Sequence, residues 1–285
     1  TCALPISFLF VFAIVFRLSY KYYLYDADNF VENLLVEAHG TVMDIIIFGM
    51  LFTFINNMRN KKIEIQRFKE EIDDFRHWND PGASYRIAGI LRRLNKHKIH
   101  QLDLSHCNLS GAQLKNIHLQ KTIFEKANLS EANLAYADLS GTNLRVANLT
   151  RADLRIANLQ GADLRMADLQ HAKLRITNFK GANLFNANLK YADLKTANLE
   201  NCDLTTVNME DADLKSASLE ESDMTNARLQ KADLRSAKLK GTNLRRANLK
   251  GALLGDYISL LKEDETQEEE NFKANYSQLM EVASL

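Results

Sequence analysis

Ala147-Asn148-Leu149-Thr150-Arg151-Ala152-Asp153-Leu154-Arg155-Ile156-Ala157-Asn158-Leu159 states one pattern three times: a small residue, Asn or Asp, Leu, then two freely chosen residues. Followed outward, the pattern runs from position 104 to position 254. Every fifth residue there is Leu, Phe or Met, at 31 positions without exception. Two residues before each, Ala stands at 21 of the 31, and Asn or Asp lies between at 23. Where Ala is missing the residue is usually still small or apolar, as at Cys107, Ile117, Thr142, Cys202 and Val207. No proline interrupts the stretch.

A period of five excludes the two regular elements. In an α-helix five residues advance about 500°, so the leucines would drift by about 140° per repeat and smear around the axis. In a straight strand the side-chain period is two, and an odd repeat would throw successive leucines to opposite faces. A short extended step followed by a corner satisfies both constraints. With Leu at position i, the small residue at i−2 and the Leu point inward, while i−1, i+1 and i+2 point out or form the corner. Four such sides close a square coil, and stacked coils pair their backbones at about 4.8 Å. Gly141, Gly161, Gly181 and Gly241, with Asn201, share one position at multiples of 20 residues, which sets the coil length. Glycine and asparagine tolerate positive φ, so this one corner is expected to require it. Gly111 and Gly251 sit at the corner ten residues away.

The pattern resembles the pentapeptide-repeat family, whose motif reads A(D/N)LXX, and the resemblance covers more than half the chain. It implies an all-β repeat solenoid: a right-handed quadrilateral parallel β-helix of about 7–8 coils, plugged by Leu or Phe, and about 37 Å long at strand spacing. The departures Lys173, Arg228, Lys238 and Leu253 fall at i−1, an outward position. Each plug contributes roughly 1.5–3 kcal/mol by burial. The ends of such a stack expose unpaired strand edges and require caps.

Four segments follow: 1–60, an N-terminal membrane hairpin; 61–100, juxtamembrane and capping helices; 101–254, the repeat domain; 255–285, a C-terminal cap and acidic tail. The chain starts at Thr1, and residues 1–7 read like a translated sequencing adapter, Cys2 included. Residues 3–16 and 42–55 are two apolar runs, each short of the ~20 residues of a full span. The second extends to Met58, and a cleavable signal would account for the first only. After it come Arg59, Lys61, Lys62, Arg67 and Lys69, which places the repeat domain on the cytoplasmic side of an inner membrane. Met58, Ile65, Phe68, Ile72 and Phe75 form an apolar seam over 58–75, either a short coiled coil or a helix packed on its neighbour. Asp80-Pro81-Gly82 ends it. Ile87, Ile90, Leu91 and Leu94 then mark an amphipathic capping helix whose other side carries Arg86, Arg92, Arg93, Lys96 and Lys98. At the far end Tyr257, Ile258, Leu260 and Leu261 are the expected second cap. An acidic segment at 263–270 follows, and Phe272, Tyr276, Leu279 and Met280 suggest one more helix.

Composition narrows the chemistry. The 285 residues carry 36 basic and 36 acidic side chains, and three cysteines cannot make a disulfide framework. Cys107 and Cys202 lie 4.75 coils apart, about 23 Å of rise, too far to bridge, and both occupy inward positions as core filler. His97 and His100 are three apart without a completing Cys or carboxylate. No phosphate-binding glycine loop, nucleophile elbow or zinc-protease motif occurs. The reading is therefore no enzyme, no cofactor and no metal.

Two surface features stand out. One outward column reads Lys115, Ala135, Arg155, Arg175, Lys195, Lys215, Arg235. It is either a docking stripe for an acidic surface, with the tail 263–270 as internal competitor, or a charge ladder compensated by Asp153, Asp193, Asp213 and Asp233. Tyr136, Val146, Ile156, Met166, Ile176, Phe185 and Tyr191 form a candidate apolar patch. The preferred function is a membrane-tethered scaffold for protein–protein or membrane-surface interaction. Its partner is an unidentified protein, and self-association through 58–75 or a solenoid face is a further route. The alternative is the family's DNA mimicry, in which an acidic pentapeptide-repeat surface imitates duplex DNA toward gyrase. The net +4 of residues 101–254 disfavours that reading and nucleic acid as a partner.

Overall fold

In the computed structural model, residues 30–254 are described. Two helices, α1 (Phe30–Phe75) and α2 (Pro81–Lys96), precede the repeats. From Asp103 onward the chain is a succession of parallel bridges, Asp103 to Ile123 through Asp233 to Leu253, each joining residues twenty apart. The square coil and its register are therefore as expected. Among the described residues, however, each side is a single bridged residue rather than a longer strand. The reason lies in the repeat itself: two of every five residues form a turn, leaving three for the side.

The turn closes when the plug carbonyl accepts from the next small residue, as in Cys107 N–H to Leu104 O at 3.2 Å and Ala157 N–H to Leu154 O at 3.0 Å. The second turn residue has positive φ at every corner from His106 to Gly251, between 55° and 71°. The expectation that one glycine-bearing corner alone needs this conformation is thus corrected. All corners adopt it, and most without glycine, including Val146, Ile156 and Ile176. A β-branched residue there is strained, and the conformation persists because the turn bond and the coil ladder fix it from both sides.

In the repeat around Leu154 every N–H has an acceptor, as burial against a neighbouring coil demands. Around Leu154, the plug donates forward to Lys173 O at 2.9 Å, and Ile156 donates forward to Arg175 O at 3.0 Å. Asp153 donates back to Ala132 O at 2.9 Å, and Ala157 closes the turn. The remaining N–H, that of Arg155, goes to Asp153 Oδ1 at 3.2 Å. This last bond explains the Asn or Asp at i−1. It recurs at the others, for example Ser105 N–H to Asp103, Thr150 to Asn148, Gln160 to Asn158 and Lys250 to Asn248. The residue read as merely outward is, wherever it is Asn or Asp, an Asx turn built into its corner. Stacked asparagines also bond one another, Asn178 Nδ2 to Asn158 Oδ1 at 3.0 Å.

The interior holds the plugs. Leu104 through Leu229 are at most 1% exposed at plug positions, Phe124 and Phe179 included. Where the small residue is polar its hydroxyl finds a carbonyl: Thr177 donates to Leu154 O at 2.8 Å and Thr242 to Leu219 O at 2.8 Å. Cys107 and Cys202 are buried and free. Burial pushes their thiols up, to about 11 and about 12 respectively.

The first coil is closed by donors. Asp80 caps α2 through Gly82 N–H at 3.1 Å, with Pro81 at the first helical position. Ile87, Ile90, Leu91 and Leu94 are buried, as the amphipathic spacing required. The carbonyls of the first coil have no earlier coil to serve. Arg76 donates to Ser105 O at 2.8 Å and Asp103 O at 3.1 Å, Ser84 to Ser110 O at 2.8 Å, Arg92 to Gln113 O at 3.2 Å, and Asn95 to His118 O. All four sides are covered.

The chain divides into two units after Arg67. α1 is one uninterrupted helix of 46 residues, so the apolar run 42–55 and the seam 58–75 are continuous rather than separate elements. In the second unit the seam ends by packing locally. Phe68 and Ile72 are buried, Arg93 lies over the Phe68 ring at 5.7 Å, and Arg86 over Phe75 at 5.5 Å. Met58 and Ile63 are exposed. The first apolar run 3–16, the cap Tyr257 to Leu261 and the helix expected around Phe272 lie outside the described residues.

Candidate interaction surface

Because the coil repeats every twenty residues, side chains at equal register stack in columns, and each corner presents two. The basic column stands at the first turn residue of one corner. Asp153 binds Arg155 at 2.6 Å, and Asp233 binds Arg235 at 2.7 Å. Lys195 reaches Asp193 at 3.4 Å and Asp213 at 2.6 Å, and Lys215 reaches Asp213 at 3.6 Å and Asp233 at 2.9 Å. The carboxylates alternate with the cations up the column, so four of its cations are neutralised within it. Lys115 instead lies over the Tyr136 ring at 5.3 Å. Arg175 makes no ion pair among the described residues, because Lys173 stands where its neighbours have Asp. The Arg235 guanidinium and then Lys215 hold the Asp233 carboxyl far below the usual carboxylate range.

The seven apolar residues separate. Tyr136, Ile156 and Ile176 stack in one column, beside the basic one and on the same corner. Val146 and Met166 stack ten residues away in register, on the opposite corner, where Phe185 follows Arg145 and Arg165 in the adjoining column. Tyr191 belongs to a third column, ring-stacked on His171 at 4.8 Å with Lys190 above it at 4.9 Å. Ile156 and Ile176 are 42% and 55% exposed. Each combines an exposed apolar side chain with a left-handed backbone, two costs at one residue. The sequence reading grouped the seven as one patch; the twenty-residue register divides them among separate corners.

A four-sided parallel solenoid with a filled interior presents chemistry on its surface and encloses none. Among the described residues no group of three or more His, Cys, Asp or Glu side chains is placed to hold a metal ion. The repeat domain belongs to the pentapeptide-repeat family. The family model described as Pentapeptide repeats (8 copies) matches residues 107–145 and 127–165, and that described as Pentapeptide repeat region matches 172–249. No curated protein matches the chain. Among solved structures it is similar to HetL, a pentapeptide repeat protein involved in heterocyst differentiation regulation in the cyanobacterium Nostoc sp. strain PCC 7120. The identity is 28%, the match covers 59% of this chain and 90% of that one, and the TM-score is 0.30. A second pentapeptide repeat protein of the same cyanobacterium is 34% identical over 33% of this chain and 79% of that one, with a TM-score of 0.32. QnrB1, a plasmid-mediated fluoroquinolone resistance protein, is 23% identical over 57% and 95%, with a TM-score of 0.26.

Proposed function

We propose that the chain is a membrane-tethered scaffold whose pentapeptide-repeat rod docks a protein partner on the cytoplasmic side. The observation that carries the tether is the run 42–55 of α1. Val42, Met43, Ile45, Ile46, Ile47, Phe48, Met50, Leu51, Phe52, Phe54 and Ile55 are all exposed, Phe48 at 71%. They point to every side of the helix, whereas a surface helix is apolar along one stripe. The window across them is long and apolar enough to cross a membrane, and none of it is buried among the described residues. Residues 42–58 rise about 25 Å, close to a hydrocarbon core of about 30 Å. The Thr53 hydroxyl donates to Gly49 O at 2.7 Å, so that group has a backbone acceptor within the helix. The basic cluster from Arg59 to Lys69 supports the cytoplasmic side. For docking, the support is the corner of Ile156 and Ile176 with unpaired Arg175 beside them, apolar contact next to a free guanidinium.

Membrane fractionation tests the tether. The full chain is expected to remain in the pellet after alkaline carbonate, and Phe48→Glu with Phe52→Glu to release it. A wild-type chain extracted by carbonate contradicts the proposal.

A further inference from the structure

On one corner of the solenoid, three consecutive coils carry apolar side chains where the rest of the column is polar. The second turn residues there read Asn116, Tyr136, Ile156, Ile176, Thr196, Ser216 and Ser236. The apolar run begins sharply at Tyr136 and ends sharply at Ile176, and all three of its side chains are exposed. Their φ values are 62°, 61° and 60°. A left-handed backbone disfavours β-branched side chains, and exposure returns no burial for it. Asn, Thr and Ser hold the same position in the other coils, so the turn itself does not require Ile there.

A gap in the charge ladder lies beside this run. The i−1 column of the adjoining side reads Asp153, Lys173, Asp193, Asp213, Asp233. Asp153 pairs with Arg155 and Asp193 with Lys195, whereas Lys173 and Arg175 make no ion pair among the described residues. Both are exposed, on the coil that also carries Ile176. The surface is thus a row of three apolar side chains whose last member stands beside two unpaired cations. Spacing selects the shape that fits it. Consecutive coils set these side chains about 4.8 Å apart, or about 9.6 Å from first to last. Apolar residues at i, i+3 and i+7 of an α-helix span about 10.5 Å. Three on one face of a strand span about 13 Å and fall out of step.

We infer that this corner docks an acidic amphipathic α-helix of a partner protein, laid along the rod. The apolar stripe of that helix packs on Tyr136, Ile156 and Ile176, and a carboxylate at the end of the stripe pairs with Lys173 and Arg175. The inference rests on the proposal that the rod docks a protein at this corner, and adds the partner's charge and secondary structure. The Arg175 guanidinium can give a carboxylate two parallel hydrogen bonds. On the coils to either side Asp153 and Asp193 already fill the equivalent place, which fixes the register of the helix on the rod.

Fluorescence anisotropy of labelled peptides on the full chain in neutral-lipid nanodiscs, read against empty nanodiscs, tests this. The probe is a helical Ala/Glu peptide with leucines at i, i+3 and i+7. One control has the same composition with leucines at alternate positions, and the other has lysine for glutamate. The probe is expected to bind, and the controls to bind about ten-fold more weakly or worse. Ile156→Ser with Ile176→Thr, which installs residue types native to the column, is expected to weaken the probe about ten-fold. Lys173→Asp, which restores the ladder and engages Arg175, is expected to do the same. Val146→Ser on the opposite corner should leave binding unchanged. Absence of probe binding, indifference to either set of variants, equal loss on Val146→Ser, or preference for a control peptide overturns the inference. So does a Lys173→Asp effect on binding to phosphatidylglycerol vesicles but not to the probe, because the corner would then face lipid. A photocrosslinker at position 176 in native membranes separates this inference from the docking proposal beneath it. Crosslinks to a protein segment without helical apolar spacing and acidic residues overturn the helix and leave docking standing; crosslinks to lipid alone remove both.

Discussion

Asp153 holds Arg155 in three ways at once: Oδ1 accepts the Arg155 backbone N–H at 3.2 Å and Nε at 2.8 Å, and Oδ2 accepts Nη2 at 2.6 Å. One carboxylate thus builds the corner and neutralises the cation on it. Asp163 with Arg165 and Asp233 with Arg235 repeat the arrangement.

A pH dependence follows. The hydrogen bonds from Arg155 and Arg235 hold the Asp153 and Asp233 carboxyls below their ordinary value. A depressed carboxyl stabilises the fold above its unfolded pKa, about 3.9, and that contribution is lost as pH falls through the folded value. Thermal melts are expected to be flat between pH 5 and 7 and to drop below about pH 4. Asp233→Asn, which keeps an oxygen for the corner, should flatten that acid limb. An acid limb unchanged in the variant removes Asp233 from the account.

The Asx turns make i−1 substitutions unequal. Asn158 accepts from Gln160 N–H at 3.2 Å and Asn178 Nδ2 at 3.0 Å, and donates to Asp138 Oδ1 at 3.2 Å. Asn158→Ala is expected to cost about 1–2 kcal/mol, whereas Lys173→Ala, at the same position one side earlier in register, stays within about 0.5 kcal/mol. Denaturant midpoints decide, and equal losses would deny the corner role.

Left-handed corners predict an inverted glycine scale. Ile156 has φ of 61° and is half-exposed, so Ile156→Gly trades little burial for relief of strain and is expected to stabilise by about 0.5–1 kcal/mol. Gly161 has φ of +65° and open space around its missing side chain. Gly161→Ile is expected to cost about 1–2 kcal/mol from backbone strain alone. Melting temperatures moving the other way would contradict the turn assignment.

Adjacent residues test the register. Leu174 is fully buried and Arg175 exposed. Leu174→Asp is expected to abolish cooperative melting by burying an unpaired carboxylate among plugs. Arg175→Asp should shift stability by about 0.5 kcal/mol or less. Similar losses for the two would refute every column described.

The plug at i and the small residue at i−2 were legible in the sequence because burial is a filter on residue size that a period exposes directly. The corner was not. Glycine at one register suggested a special site, yet the left-handed conformation recurs at the other three, at Lys126, Ile156 and Tyr191, since ladder bonds on both sides fix the backbone whatever the side chain. The Asn and Asp at i−1 carried a signal in their frequency that polarity alone could not interpret; a hydrogen bond two residues along the chain accounts for it. The cation column and its compensation by the Asp two residues before were legible in the sequence, whereas the second pairing of Lys195 and Lys215, with carboxylates of the following coil, needs the stacked geometry. The apolar residues were read as a single patch, which the register divides. Tyr136, Ile156 and Ile176 belong together, and Tyr191 is stacked elsewhere on His171.

The tether is the central claim, and a spin-label scan of positions 42–58 in the vesicle-reconstituted full chain tests it most directly. Accessibility to oxygen is expected to peak near Phe48 and to exceed accessibility to a water-soluble relaxant on every face of the helix, with the order reversing by Lys61 and Lys62. A scan in which the water-soluble relaxant reaches Phe48 and Phe52, or in which one face alone is shielded with helical period, would contradict a membrane-spanning α1.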